Sequence, residues 1–197
     1  MRVEKNWNGE SPVDIETVYI QDVNQESIAD ALNSIDSVSA STQPVVHVVC
    51  DGHGGDASCA KSIIGKLRSC KKPVVTEVYG YAESANATVF LAGQDRVIAK
   101  HAHVLFHPVT HGAEGPYVST EDAAECAAGM KKYDKIFAEM LCDISGIDAA
   151  DMKEIKWSRG DRTYTAREAL KLGIATAIGS ARMVYTIDAK HEICVDK

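Results

Sequence analysis

The strongest constraint on the fold is a short, nearly continuous run of β-branched residues from Val45 to Cys50. A run this apolar is typical of a strand that is covered on both faces. Apolar residues recur at helical spacing on either side of it in sequence, over 24–37 and 57–69. The run therefore predicts a buried sheet strand with helices packed against the sheet.

The alternation of strand and helix patterns continues along the chain. Further strands are predicted over 18–20, 73–79, 96–99 and 102–107, and a late one over 183–187. Further helices are predicted over 84–91, 119–143, 149–156 and 165–173, the last opened by the capping box of Thr165 and Glu168. Residues 110–117 contain two glycines and a proline, which favour a loop or short hairpin. The pattern indicates an α/β fold with right-handed crossovers and a largely parallel sheet.

Length and composition predict one globular core rather than two. The chain has 197 residues, of which 45% are hydrophobic. We divide it into an N-terminal arm (1–16), one main domain (17–178) and a C-terminal extension (179–197). The net charge of −7 gives no general attraction to nucleic acid or anionic membranes. We find no signal peptide, no apolar run long enough for a bilayer and no CxxC pair, and so expect a cytoplasmic protein with reduced cysteines.

Two interpretations compete for the strand end Asp51-Gly52-His53-Gly54-Gly55. The Asp-Gly-His-Gly-Gly pattern is typical of a metal-dependent Ser/Thr phosphatase, in which the aspartate would hold divalent cations. Such a site needs several carboxylates from separate strands, and the sequence offers no second acidic strand end. Alternatively, Gly54 and Gly55 approach a ligand closely, and the N-terminus of the helix that follows favours an oxyanion.

A serine stands at the start of a predicted helix in the segment Gly80 to Gly93. A strand ends at Gly80, and the turn that follows presents Ser84 with the backbone N–H of Ala85 beside it. This arrangement is typical of an exposed nucleophile. An ordinary N-cap serine has the same pattern.

Four histidines cluster in the segment 101–111, namely His101, His103, His107 and His111. If the strand extended over the first three, these would share one face and could bind zinc, but no carboxylate or cysteine lies at ligand spacing in sequence. We therefore predict no metal site and no cofactor. His107 differs because it ends the apolar run Val104–Phe106, at the carboxyl edge of the sheet where active groups gather.

One acidic residue precedes the last capping box closely enough to be held in place by that helix. Asp161 could orient an imidazole, or it could pair with Arg159 or Arg162 in solvent. The sequence around it leaves both possibilities open.

Taken together, these features resemble the ClpP family of self-compartmentalising serine peptidases in order and spacing. The family's Asn-Ser-Pro-Gly-Gly corresponds to residues 51–55, and its Gly-x-Ala-x-Ser turn to Gly80–Ser84. Its strand ending in a catalytic histidine corresponds to Val104–His107, and its Asp-Arg before the last helix to Asp161-Arg162. The chain departs from the family pattern at Asp51, His53 and Glu83, where the family has asparagine, proline and a small residue.

The resemblance implies a ClpP/crotonase-type spiral of βα units, with the helix over 119–143 as its projecting handle. It implies that Ser84 is the nucleophile, His107 the general base and then acid, and Asp161 the carboxylate that orients it. The oxyanion would be held by the N–H groups of Gly55 and Ala85.

Partners follow from the same resemblance, which implies peptide or unfolded-protein substrates and a homo-oligomer of two stacked rings of seven subunits. The segment before Val18 contains little that resembles the axial loops of family members, so we expect hydrolysis without an AAA+ unfoldase. A viral-type processing peptidase and a catalytically silent ring subunit stay open as alternatives. A Ser-Lys peptidase of the same fold is disfavoured, because no lysine has an obvious place beside Ser84.

Overall fold

The computed structural model describes residues 16–109, 119–157, 160–184 and 192–195 of the chain. The strands in these ranges are β1 (Thr17–Val23), β2 (Val46–Gly55), β3 (Val74–Val78), β4 (Tyr81–Glu83), β5 (Asp95–Ile98), β6 (His103–Phe106), β7 (Arg162–Thr165), β8 (Ala177–Ile178), β9 (Ala181–Val184) and β10 (Glu192–Val195). The helices are α1 (Ile28–Ala40), α2 (Ala57–Ser69), α3 (Ala85–Phe90), α4 (Thr120–Ser145), α5 (Ala149–Trp157) and α6 (Ala166–Lys171).

The sheet is organised around β2. This strand pairs in parallel with β1 along nearly its whole length, from Thr17↔His47 to Val23↔Gly55. Its other partner changes midway, because β3 pairs with Val46–Val49 whereas β4 pairs at Gly52. Strands β5 and β8 extend the sheet in parallel beyond β3, and β6 extends it in parallel beyond β4. The change of partner at β2 brings the carboxyl ends of β2, β4 and β6 to one place.

Most predicted elements are confirmed, with shifts at their ends. Helix α2 has the predicted bounds, and both capping boxes, Ser119 with Asp122 and Thr165 with Glu168, are formed. Asp161 lies outside the helices and strands, and the antiparallel strand β7, which was not predicted, begins directly after it. Strand β4 was also not predicted. The predicted arm lies outside the described residues except for Glu16, and the predicted loop over 110–117 lies wholly outside them.

The late strand begins earlier than predicted, at Ala181, and pairs antiparallel with β10. Residues 185–187 of that prediction lie outside the described ranges. The boundary placed at residue 178 between domain and extension stays a prediction.

The core forms where helices α1, α2 and α3 pack on the sheet. It is made mainly of aliphatic side chains that alternate along the strands and recur every three or four residues along the helices. Burying such a side chain stabilises the fold by about 1.5–3 kcal/mol. Prominent members are Ile20, Ile35, Val48, Ile63, Ile64, Leu67, Val78, Phe90, Ile98 and Phe106.

The longest helix, α4, packs on the domain only through its C-terminal half. Phe137 and Leu141 are buried, whereas the first turns, over 120–125, are exposed. Because a helix rises about 1.5 Å per residue, the 26 residues of α4 span roughly 39 Å, so its first half projects from the domain. This matches the handle expected of the fold. Across the described part of the chain, no helix is long and apolar enough to cross a bilayer.

A buried arginine ties three helix ends to the sheet. Arg96 of β5 is 6% exposed and donates Nη1 to the carbonyl of Gly93, which follows α3, at 2.9 Å. Its Nη2 donates to Ser145, the last residue of α4, at 3.3 Å, and to Gly173, which follows α6, at 2.8 Å. Desolvation lowers the pKa of Arg96, but a guanidinium stays charged at neutral pH. A cation here complements the free carbonyls and the negative ends of the helix dipoles.

Replacing this guanidinium should destabilise the whole domain. We expect Arg96→Met to lower the free energy of unfolding by on the order of 3 kcal/mol, because it leaves several buried carbonyls without donors. Urea denaturation followed by circular dichroism measures the change. The exposed Arg68 at the end of α2 provides the matched control, and Arg68→Met should cost about 0.5 kcal/mol or less. Equal stability of both variants would contradict the role assigned to Arg96.

Candidate active site

The end of β2 passes so close to the next turn that only glycine fits there. Gly54 has a φ of 94°, and a Cβ on it would lie 2.5 Å from the Glu83 carbonyl oxygen and 2.6 Å from the Ala85 nitrogen. Gly55 has a φ of 138°, and a Cβ on it would lie 2.3 Å from the Val23 carbonyl oxygen. Both conformations are open to glycine at little cost. Gly54 therefore brings the backbone of β2 directly against the turn that carries Ser84, and Gly55 brings it against the end of β1.

Ser84 occupies a strained turn between β4 and α3. Its φ of 54° and ψ of −119° make it the single positive-φ residue other than glycine within the described ranges. Its backbone N–H donates to the Leu105 carbonyl at 2.8 Å, which fastens the turn to β6. The side chain makes no capping hydrogen bond to α3, so the interpretation of Ser84 as an ordinary capping serine is wrong. Such strain concentrates at functional sites, where a nucleophile has to be presented.

His107 follows β6 directly and is half-buried. Its Nδ1 lies 2.6 Å from the carbonyl oxygen of Pro108. A carbonyl can only accept, so Nδ1 carries the proton in this contact, and in the neutral ring Nε2 is then the basic nitrogen. The contact thus selects the tautomer in which Nε2 can take a proton.

Ser84, Ala85, Gly55 and His107 all line one cavity of about 550 Å³. Four of the five residues predicted for the site are therefore brought together. From α4, Tyr133 and Phe137 add stacked aromatic rings with centroids 5.8 Å apart. The remaining wall comes from the turn between β2 and α2, from α3 and from the residues after β6, and consists of His53, Asp56, Ala57, Ser58, Thr88, Pro108 and Val109.

Asp161, the fifth predicted residue, lies near this group but outside the cavity wall. In the ladder of β6 with β7, the last pair is Phe106↔Arg162. Continuing the same register by one position pairs His107 with Asp161. The Asp161 side chain is exposed, and the Pro108 carbonyl is within hydrogen-bonding distance of His107 Nδ1.

Two of the first three N–H groups of α2 are already bonded within the protein, which weakens the expectation that this helix end holds an oxyanion. The carboxylate of Asp56 caps the helix and accepts from the backbone nitrogens of Ser58 and Cys59. Hydrogen bonds, first of all from the Ser58 side chain, lower the pKa of Asp56. The N–H groups of Ser58 and Cys59 are therefore not available to an oxyanion.

Neither metal interpretation finds a site in the described residues. Asp51 uses its Oδ1 to accept from the backbone nitrogens of Gly80 and Tyr81, at 2.9 and 2.8 Å, so it holds the turn between β3 and β4. Strand β6 begins only at His103, and His111 lies outside the described ranges. Among the residues that the structure describes, no group of His, Cys, Asp and Glu side chains is arranged to hold a metal ion.

Sequence reasoning missed a cluster of polar side chains of which one, His53, lines the cavity. Glu83 Oε2 lies 2.7 Å from His53 Nδ1, and Glu83 Oε1 lies 3.3 Å from His103 Nε2. The Tyr81 ring packs between the two imidazoles, with centroids 4.8 Å from His53 and 6.0 Å from His103. The hydrogen bond from His53 is the largest of several effects that lower the pKa of Glu83. A signal was present in sequence, since His53 and Glu83 are both departures from the family pattern.

The fold and the cavity define an α/β protein with a serine and a histidine at one site. Comparison with known protein families agrees with this description, because the Clp protease family model matches residues 13–182. The chain therefore belongs to the Clp protease family, and its fold is the ClpP-type α/β fold. None of the curated proteins matches the chain significantly.

A methyl group at Gly54 should disrupt the site and the fold together. We expect Gly54→Ala to lower the free energy of unfolding by on the order of 3 kcal/mol, because φ and two backbone contacts are both incompatible with a Cβ. The control is Gly65→Ala in α2, where a Cβ meets nothing within 4 Å; that variant should gain up to about 1 kcal/mol. Urea denaturation of both variants measures the difference, and a Gly54→Ala protein as stable as the wild type would refute the close approach.

Proposed function

We propose that this chain is a serine endopeptidase that cleaves peptide bonds through an acyl-enzyme on Ser84. The observation that carries the proposal is that Ser84, Ala85, Gly55 and His107 line one cavity. The serine is held in a strained turn, and its side chain makes no capping hydrogen bond to α3. Membership of the Clp protease family supports the peptidase class. The residue roles and the assembly described below are part of the proposal.

In the first half of the reaction, Ser84 Oγ attacks the carbonyl carbon of the scissile bond while His107 Nε2 takes the hydroxyl proton. The carbonyl oxygen becomes an oxyanion, which accepts hydrogen bonds from the N–H groups of Gly55 and Ala85. Losing one such donor typically costs about 3 kcal/mol in the transition state. The tetrahedral species collapses as His107 gives its proton to the leaving amine. Water then attacks the acyl-enzyme while His107 Nε2 takes its proton, and His107 returns that proton to Ser84 Oγ as the acid product leaves.

Orientation of the imidazole during this cycle requires an acceptor at Nδ1. The Pro108 carbonyl fills that place in the structure, at 2.6 Å. A neutral carbonyl selects the tautomer, but a carboxylate also stabilises the imidazolium that forms in the transition state. We propose that Asp161, at the next position of the β6–β7 register, supplies that charge when substrate is bound.

The proposed substrates are extended peptides or unfolded protein segments, and the proposed active form is a homo-oligomeric ring. The projecting half of α4 is the element available for stacking rings, since its first turns are exposed. We propose that this hydrolysis requires no ATPase. A mass well above the 21.2 kDa of one chain in solution, with peptide hydrolysis in the absence of nucleotide, is the expected result.

The decisive experiment replaces the nucleophile. Ser84→Ala should abolish labelling by a fluorophosphonate probe and lower peptide hydrolysis by about 10⁶-fold, to background. The matched control is Ser62→Ala on α2, a serine exposed outside the cavity, which should keep wild-type labelling and hydrolysis. Equal labelling of wild type and Ser84→Ala would remove Ser84 from its role. A wild-type chain that folds and assembles but is neither labelled nor active on a peptide panel would be a silent ring subunit.

A second substitution separates the two acceptors for His107 Nδ1. We expect Asp161→Ala to lower kcat by about 10³-fold or more while KM changes little, because the imidazolium loses its counter-charge only in the transition state. Asp30→Ala, at an exposed aspartate on α1, should leave both constants unchanged. Steady-state hydrolysis of a fluorogenic peptide gives the two constants. A loss below about tenfold would assign the orientation of His107 to the Pro108 carbonyl.

A further inference from the structure

We propose that Glu83 is a positioning residue for the reaction on Ser84, acting through His53 and His103. This inference rests on the proposed peptidase function and adds a part of the site that lies outside the triad. The carboxylate of Glu83 contacts residues of two other strands, β2 and β6, and each of the three strands leads into one component of the proposed site.

Each partner of Glu83 is next to a functional segment in the chain. His53, bonded at 2.7 Å, lies two residues before Gly55, which lines the cavity and is the proposed oxyanion donor from β2. Glu83 itself directly precedes Ser84. His103, bonded at 3.3 Å, begins β6, the strand that ends immediately before His107. One carboxylate therefore links the ends of β2 and β4 with the start of β6.

The contacts of Glu83 matter for the turn that carries Ser84, because that turn is strained. A residue at a φ of 54° keeps this conformation only where its surroundings hold it. The backbone holds Ser84 through the bond from its N–H to Leu105 and the packing of Gly54 against the Glu83 carbonyl. The side chain of Glu83 adds one contact on either side, to the largely exposed imidazole of His53 and to the part-buried imidazole of His103. A displacement of about 1 Å at a reacting group costs on the order of 100-fold in rate.

The charge of Glu83 strengthens this linkage. Hydrogen bonds from the two histidines lower the pKa of Glu83, so the carboxylate is ionised at neutral pH. Hydrogen bonds to an ionised acceptor are shorter and stronger than neutral ones, in keeping with the 2.7 Å contact. Tyr81 packs against both imidazoles and places its hydroxyl 3.4 Å from His53 Nε2, which restricts the rings further.

Four variants test the proposal by the kinetics of a fluorogenic peptide and by the rate of fluorophosphonate labelling. Glu83→Ala should lower kcat and the labelling rate by about tenfold with KM within about twofold. Glu83→Gln, which keeps hydrogen-bonding reach at the same size, should recover kcat to within about threefold of wild type. His53→Ala should resemble Glu83→Ala, and the double variant should be no worse than either single one, since the pair acts as a unit. His101→Ala, at an exposed histidine outside the cluster, should match the wild type.

Thermal unfolding of each variant distinguishes positioning from general stability, and the isosteric Gln variant guards against a Glu83→Ala chain that does not fold. The proposal is overturned if Glu83→Ala keeps wild-type kcat and labelling. It is overturned if Glu83→Gln lowers kcat as much as Glu83→Ala does and both losses follow a lowered melting temperature. It is also overturned if the losses in kcat of Glu83→Ala and His53→Ala multiply in the double variant. If a chelator abolished the activity of the wild type but not that of Glu83→Gln, the cluster would be a metal site instead. If labelling persists in Ser84→Ala, the peptidase proposal itself fails, whereas labelling that needs Ser84 but ignores Glu83 defeats this inference alone.

Discussion

The change of partner along β2 is the constraint on which the rest of the structure depends. Through Val46–Val49 the strand belongs to a buried parallel sheet, and from Gly52 onward it pairs with the short strand before Ser84. Both faces of its first half are covered, so Val46 and Val48 are fully buried and the register of the strand is strongly specified. The position of the glycine pair follows from that register. A site assembled from backbone N–H groups thereby inherits the rigidity of the core.

Local strain at Ser84 is balanced by contacts that are distant in sequence. The turn is held by the Leu105 carbonyl of β6, and the strand before it by the pairing of Ala82 with Gly52. Asn86, buried at the start of α3, donates to the carbonyls of Ile20 and Gln21 at 3.1 and 2.9 Å and so fixes the helix to β1. These bonds satisfy backbone groups that the irregular end of β1 leaves unpaired. The same contacts support the fold and keep the hydroxyl presented.

Sequence patterns predicted those parts of the molecule whose signals are local. The β-branched run identified β2, the apolar spacing of Ile63, Ile64 and Leu67 gave α2, and the Thr165–Glu168 box located α6. Strand β7 escaped prediction because its Arg-Thr-Tyr-Thr sequence is mostly exposed and pairs at the edge of the sheet, where no apolar alternation is required. Gathering Ser84 and His107 in one cavity was predictable because both follow strands whose carboxyl ends meet. The family resemblance had joined Asp161 to His107, but no local signal in the sequence does so, and their proximity follows from continuing the β6–β7 register by one position.

The polar cluster and Arg96 show why the remaining features were out of reach. Glu83 and His53 are 30 positions apart and meet only because β4 pairs with β2 at Gly52. Arg96 reads in sequence as an ordinary surface cation, and its burial follows from three helices ending around one strand. In both cases a charged side chain sits where it satisfies groups from several elements, so the cost of desolvation is offset only in the assembled fold. For Glu83 that arrangement has a chemical consequence. A carboxylate one residue from the nucleophile would oppose a developing oxyanion, and the hydrogen bonds from His53 and His103 offset part of its negative charge.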